Sequence, residues 1–414
     1  MTPLASTAFR WLWSSSVAGA LAAGVERTAT GWLVLETGGD AFAIGLVLAA
    51  RMLPSLLFGL AAGTIADRVN RSRQLAIVSA SAVPLMTALG LLAAASNVQV
   101  WQVVAISLGM GCVSTFDITA RQTLVLDTVP RELAANGVAL NALLTRLSIA
   151  LGAFAAGVLI TTQGVASCYA VSAGMFGLGA ILVARVRPMS KPRAVHASVS
   201  FGRAMRDAAR LLVDLPAVRT LSIAGIACEI FAFSHPTALP VIARDVLESG
   251  PEGLGLLNAS VAVGGTLGVL LLSVLPPRIR REPVMGVVFV TYGAALLAVA
   301  ESRALPIASL ALVLTGACAG SFDALQQTLM QLAVPDDQRG RAMGIWVLGL
   351  GSAPLGHLEM GALVASVGAP NALLVNGSLV LLAATTLLAR APVYRGWLGV
   401  SLNDQSGTGR PASR

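Results

Sequence analysis

Eight ionisable side chains fall inside long apolar stretches of this sequence: Glu26, Arg27, Arg51, Arg146, Glu229, His235, His357 and Glu359. In hydrocarbon each costs at least ~2.5 kcal/mol, so each needs a partner or a task. A carboxylic acid in a partly dry cavity can hold and release a proton near neutral pH, which makes Glu26 the leading candidate for proton coupling. A structural ion pair of Glu26 with Arg51 or Arg146 is the rival reading, and Glu229 is a second acid of the same kind. His357 and Glu359, two residues apart, point to different faces of a helix and do not make a metal site. His235 precedes Pro236 and marks a kink rather than a ligand, and His196 lies in a polar, basic stretch. Cys112, Cys168, Cys228 and Cys318 each stand alone in apolar surroundings, without the spacing of a disulfide framework, redox pair or zinc site. There is no Gly-x4-Gly-Lys-Ser/Thr loop for a nucleotide and no nucleophile motif. No metal or cofactor is expected, and an enzyme is not.

The elements that must hold these groups are apolar throughout. The chain has 414 residues, 56% hydrophobic and only 12% charged, with a mean hydropathy of +0.78. Water-soluble domains carry about 25% charged residues, whereas a chain solvated by lipid can turn apolar side chains outward. A membrane-crossing helix needs ~20 such residues. Twelve spans can be placed, near 12–35, 42–65, 74–95, 98–118, 134–160, 166–185, 219–242, 254–275, 284–300, 304–328, 342–365 and 370–390. Trp11, Trp13 and Trp32 bracket the first span as interfacial aromatics do in a retained helix.

Of the 28 Lys and Arg residues, 23 fall in the loops and termini on one side, and only Arg244 and Arg303 on the other. That bias puts both termini in the cytoplasm of a multi-pass protein of the bacterial inner membrane. The net charge of +8 lies in short runs between spans, with no basic stripe interleaved with aromatics, so nucleic acid is not an expected partner. The chain divides into a bundle over 1–185, a basic linker over 186–217, a second bundle over 218–390 and a tail over 391–414. In the linker, Phe201, Met205, Leu211 and Leu212 are spaced so that a short helix can rest on the anionic leaflet, or the segment is simply solvated.

The halves repeat one another. Phe116-Asp117 recurs as Phe322-Asp323, Gln122-Thr123-Leu124 as Gln327-Thr328-Leu329, and Val129-Pro130 as Val334-Pro335. Leu151-Gly152 with Gly157 recurs as Leu355-Gly356 with Gly361. A duplicated six-helix unit with both copies inserted the same way places a cavity between the halves.

On these motifs the sequence resembles the major facilitator superfamily along nearly its whole length. Gly63-Thr64-Ile65-Ala66-Asp67-Arg68-Val69-Asn70-Arg71, in the loop after the second span, is similar to the superfamily's cytoplasmic gate motif, with Asn70 where glycine is usual. The resemblance implies that Gly63, Asp67, Arg68 and Arg71 form a charged latch with Asp117 and Arg121 at the cytoplasmic end of the fourth helix. The fifth span is similar to the exporter motif, where Gly152, Gly157, Gly356 and Gly361 let helices approach closely, although Ala153 replaces the family's proline. Val334-Pro335-Asp336-Asp337-Gln338-Arg339-Gly340-Arg341-Ala342-Met343, followed by Pro354-Leu355-Gly356, resembles the branch of enterobactin exporters and macrolide efflux proteins.

The implied fold is all-α, with twelve transmembrane helices in two six-helix bundles. The implied activity is secondary export of a small amphipathic, siderophore- or drug-like molecule by proton antiport, as a monomer in the lipid bilayer. Glu26, Arg51, Arg146 and Glu229 are then the cavity residues. An importer of the same fold, or a transport-inactive sensor or scaffold, stays open.

Overall fold

The computed structural model describes residues 3–68, 70–186, 210–276 and 278–389, and over these the chain is helical with no strands. Six helices make the first half: α1 (Thr7–Glu36), α2 (Ala41–Arg68), α3 (Arg71–Ala94), α4 (Val100–Thr128), α5 (Ala134–Gln163) and α6 (Val165–Ala184). The second half has α7 (Pro216–Phe231), α8 (Gly250–Ser273), α9 (Arg281–Glu301), α10 (Leu305–Leu332), α11 (Arg339–Leu350), α12 (Ala353–Val367) and α13 (Ala369–Ala389). Lipid offers the backbone no hydrogen-bond partners, so the chain satisfies its amides within each helix.

Among the described residues, eleven stretches are long and apolar enough to cross a membrane; α11 and α12 together make one of them, and α7 continues to Val246 to make another. Twelve were expected from the sequence. The exception is α1, which is 30 residues long but carries Ser14, Ser15, Ser16, Glu26, Arg27, Thr28 and Thr30 in its middle. It tolerates them because it is packed on α5 and α6 in its own half and also touches α2, α4, α8 and the Leu239–Val241 turn. Two cross-links to α6 use that polarity: Ser15 Oγ donates to the Gly179 carbonyl at 2.9 Å, and Ser172 Oγ donates to the Ala22 carbonyl at 3.2 Å.

Two sequence boundaries move. The gate motif is not a loop, since α2 stays helical through Arg68; the break comes at Asn70, whose side chain accepts from the Ser72 and Arg73 amides and starts α3. In the seventh span the bend expected at His235-Pro236 begins earlier. There α7 ends at Phe231, and a 3-10 turn (His235–Thr237) and a π segment (Ile242–Val246) complete the crossing. Most of the basic linker, including Phe201, Met205 and His196, and the tail lie outside the described residues.

The halves meet through α2 with α12 and α5 with α8. Of these, α2, α5 and α8 are well buried over the part distant from the chain termini and sparsely buried nearer them. In α2, residues 41–49 supply six buried positions, and residues 50–58 only Pro54. In α5 the buried residues run from Ser148 to Ile160, preceded only by Gly137, and α8 buries nothing after Gly268. The interhalf contact is therefore closed on the far side and parted on the side of the termini.

Candidate functional site

The repeat seen in the sequence becomes a geometric one at four glycines. A Cβ on Gly152 would run into the Leu21 carbonyl of α1, and one on Gly356 would lie 2.7 Å from the Glu229 carbonyl oxygen of α7. Both glycines thus let their helix cross the first helix of the same half. Five residues on, the contacts switch halves. A Cβ on Gly157 would sit 2.7 Å from the Pro251 carbonyl oxygen of α8, and one on Gly361 would sit 2.9 Å from the Ala41 carbonyl oxygen of α2. Such close backbone approach is open only to small residues.

Inside this frame Glu26 is 1% exposed. Arg51 Nη1 of α2 donates to its Oε1 at 2.6 Å, and Thr30 Oγ1 lies 3.5 Å from the same oxygen. Thr30 in turn contacts the Tyr169 hydroxyl at 3.3 Å. The second carboxylate oxygen, Oε2, is buried without a partner. Of the two cations expected to pair with Glu26, the structure selects Arg51; Arg146 lies on α5 with its guanidinium against Gly265 of α8.

Arg27, next in sequence, behaves in the opposite way. Between Trp11 and Leu35 it is the one exposed residue of α1, with buried Glu26 and Thr28 on either side. Because α1 is surrounded by helices of both halves, this side chain opens onto the space between the halves. It forms no hydrogen bond or ion pair among the described residues.

Lower in the same space, Arg121 binds Asp117 through two hydrogen bonds, of 2.9 and 2.7 Å, and donates to Ser16 Oγ of α1 at 2.9 Å. At the equivalent position of the repeat, Asp323 accepts from Gln327, at 3.3 Å to each oxygen, and Arg146 of α5 is close enough to act on it through its charge. Glu229 of α7 has no hydrogen bond or ion pair among the described residues, and Asp323 is close enough to act on it through its charge. His357 and Glu359 do diverge: His357 Nδ1 meets Thr237 Oγ1 at 2.8 Å, while Glu359 accepts from Asn376 Nδ2 at 3.1 Å. No cluster of metal-ligating residues exists among the described residues.

At the end of α4 the acid that meets the gate region is one the sequence did not single out. Arg71 Nη1 donates to Asp127 Oδ2 at 2.5 Å, whereas Asp117 sits ten residues earlier in α4 and is held by Arg121. The helical backbone carries Gly63, Asp67 and Arg68 to the end of α2. Asp127 lies between the repeated Gln-Thr-Leu and Val-Pro pairs, and that position was its available signal.

A bundle of apolar helices in two repeated halves, enclosing unpaired charges, defines a multi-pass membrane transporter. The profile of the transmembrane secretion effector family (MFS_3) matches residues 1–396. The chain belongs to that family and thus to the efflux and siderophore-transport branch of the major facilitator superfamily, as its motifs implied. The multidrug efflux pump Tap of Mycolicibacterium fortuitum is 27% identical over 357 residues, covering 83% of this chain and 86% of that protein. The staphyloferrin A transporter of Staphylococcus aureus is 22% identical over 364 residues, covering 85% and 88%. Among solved structures, the nucleoside transporter NupG superposes with a TM-score of 0.75 at 13% identity, over 92% of this chain and 98% of that one; this likeness concerns the fold alone.

Proposed function

We propose that the chain is a secondary exporter of a small amphipathic molecule, working by alternating access between its halves and driven by proton antiport. The observation that carries this reading is the pairing of a solvent-reached Arg27 with a neighbouring ion pair between buried Glu26 and part-buried Arg51, in a space parted toward the termini. In the proposal α1 is the twelfth span and both termini are cytoplasmic in the bacterial inner membrane, so the parted side receives substrate from the cell. The chain works as a monomer, with the 186–217 linker joining the bundles over 1–185 and 218–390 and the 391–414 tail following. Its partners are substrate, protons and lipid, with no nucleic acid and no cofactor.

The proton acts at Glu26. While ionised, Glu26 holds Arg51 and with it ties α1 to α2. Protonation removes the charge that Arg51 follows, frees the guanidinium, and lets α2 move with respect to α12 across the Gly361 contact. The name of one relative, a multidrug efflux pump, supports export, and the two relatives' names together support a drug-like or siderophore-like cargo.

The test compares small molecules retained and secreted by cells with and without the gene, in iron-poor and iron-rich medium. A compound that accumulates inside only when the gene is missing supports export and names the cargo. No difference in either medium would overturn the reading.

A further inference from the structure

The two walls of the central space carry opposite, unspent charge. On the first-half wall, Arg51 is committed to Glu26 at 2.6 Å, so the trio of Glu26, Arg27 and Arg51 retains one net positive charge, located on the exposed and unpaired Arg27. On the second-half wall, Glu229 and Asp323 are both partly exposed and Asp323 acts on Glu229 through its charge; Arg146 of α5 acts in turn on Asp323, so this trio retains one formal negative charge, assigned to Glu229, which has no hydrogen bond or ion pair among the described residues.

We infer that the transported molecule is amphoteric: an anionic group, a carboxylate above all, docks on Arg27, and a protonated amine on the same molecule faces Glu229. The inference rests on the exporter reading and names its substrate class. A guanidinium presents paired N–H donors that match a carboxylate's two oxygens, which a lone ammonium does not. In a space walled by low-dielectric protein, neither wall's charge is offset by solvent as it would be at a surface. A molecule carrying both charges neutralises both walls at once and bridges the halves. It therefore favours their approach, and binding is coupled to closure. A molecule with one charge satisfies one wall and leaves the other to repel or remain bare.

Three fluorescent probes that differ only in charge test this on purified protein: Nε-dansyl-lysine (zwitterionic), its methyl ester (cationic) and its Nα-acetyl derivative (anionic). The zwitterion is expected to bind at least about tenfold more tightly than either relative, a preference of ~1.4 kcal/mol. Arg27→Gln should lower its affinity to that of the methyl ester, Arg27→Lys should restore part of the loss, and Glu229→Gln should lower it to that of the acetyl derivative. Equal binding of the three probes, no binding of any, or a zwitterion preference that survives both Arg27→Gln and Glu229→Gln would overturn the inference. Transport of the same probes in proteoliposomes separates it from the reading beneath. Outward pumping without charge preference sinks the amphoteric class and keeps export, and charge-selective binding without any proton-driven flux keeps the class and sinks export.

Discussion

Gly157 and Gly361 hold equivalent positions in the two halves, each five residues beyond the glycine that packs its own half and each pressed against the backbone of the other: Gly157 on Pro251 and Glu252, Gly361 on Ala41 and Phe42. The two contacts together close the far side of the bundle. A leucine at either place has no room unless the halves separate there.

Gly157→Leu and Gly361→Leu should each disfavour the far-side-closed state by about 1–3 kcal/mol, the usual cost of overpacking. That corresponds to roughly 5- to 150-fold in the balance of states. A cysteine introduced at Asp40 or Ser249, on the far-side loops, should react faster with an impermeant maleimide in these variants, and transport should fall while the protein still reaches the membrane. Unchanged labelling would show that the glycines do not govern closure.

Glu26→Gln keeps the shape of the side chain and removes its charge. Uphill, proton-driven transport should be lost while exchange down a gradient persists, as measured in proteoliposomes with and without an imposed pH difference. Arg51→Gln alone leaves a carboxylate buried at 1% exposure and should cost about 3–5 kcal/mol in stability. The double variant Glu26→Gln with Arg51→Gln should recover most of that in thermal unfolding. Undiminished uphill transport by Glu26→Gln would move the proton to another group.

Fold and family were legible in the sequence because they rest on signals that survive averaging along the chain: apolar length, the Lys and Arg bias, and a repeat with rare residue pairs. The packing glycines were legible for the same reason, since Leu-Gly with a second glycine five residues on occurs in both halves. The site was legible as a roster but not as a geometry. Glu26, Arg27 and Arg51 stood out as charges in apolar runs, yet which cation takes Glu26 depends on the α1–α2 crossing, and only its three-dimensional placement leaves Arg27 exposed. Asp127 was missed because it falls at a helix end, where an acid near basic residues looks like ordinary solvated charge. The break after Phe231 lacks a local marker, as the nearest proline is Pro236.

The Arg71–Asp127 pair joins the start of α3 to the end of α4 on the terminal side. Asp127→Asn should slow transport about tenfold, equivalent to ~1.4 kcal/mol, and the charge exchange Arg71→Asp with Asp127→Arg should restore part of the rate. Initial-rate measurements on the four proteins form a double-mutant cycle. A coupling energy near zero would assign the pair to anchoring alone, outside the gate.

Asn376 is fully buried on α13 and ties two elements of the second half together. Its Nδ2 lies 3.1 Å from Glu359 Oε2 of α12 and 3.4 Å from Ser234 Oγ in the broken part of the seventh span. Nearby, His235 packs edge-on to Tyr292 at 6.4 Å and spends its Nδ1 on the Ala232 carbonyl at 2.8 Å. Asn376→Leu keeps much of the volume but takes away the donor, leaving Glu359 without the hydrogen bond it receives and Ser234 without its link to α13. A buried acceptor stripped of its donor costs about 1–3 kcal/mol, more when charged. The variant should unfold at a lower temperature in detergent, followed by the labelling of Cys228 and Cys318, both buried in this half. Asn376→Gln, which keeps an amide, should lose less. Equal melting of Asn376→Leu and the native protein would mean that Glu359 finds another donor and that the break in the seventh span is held by its backbone alone.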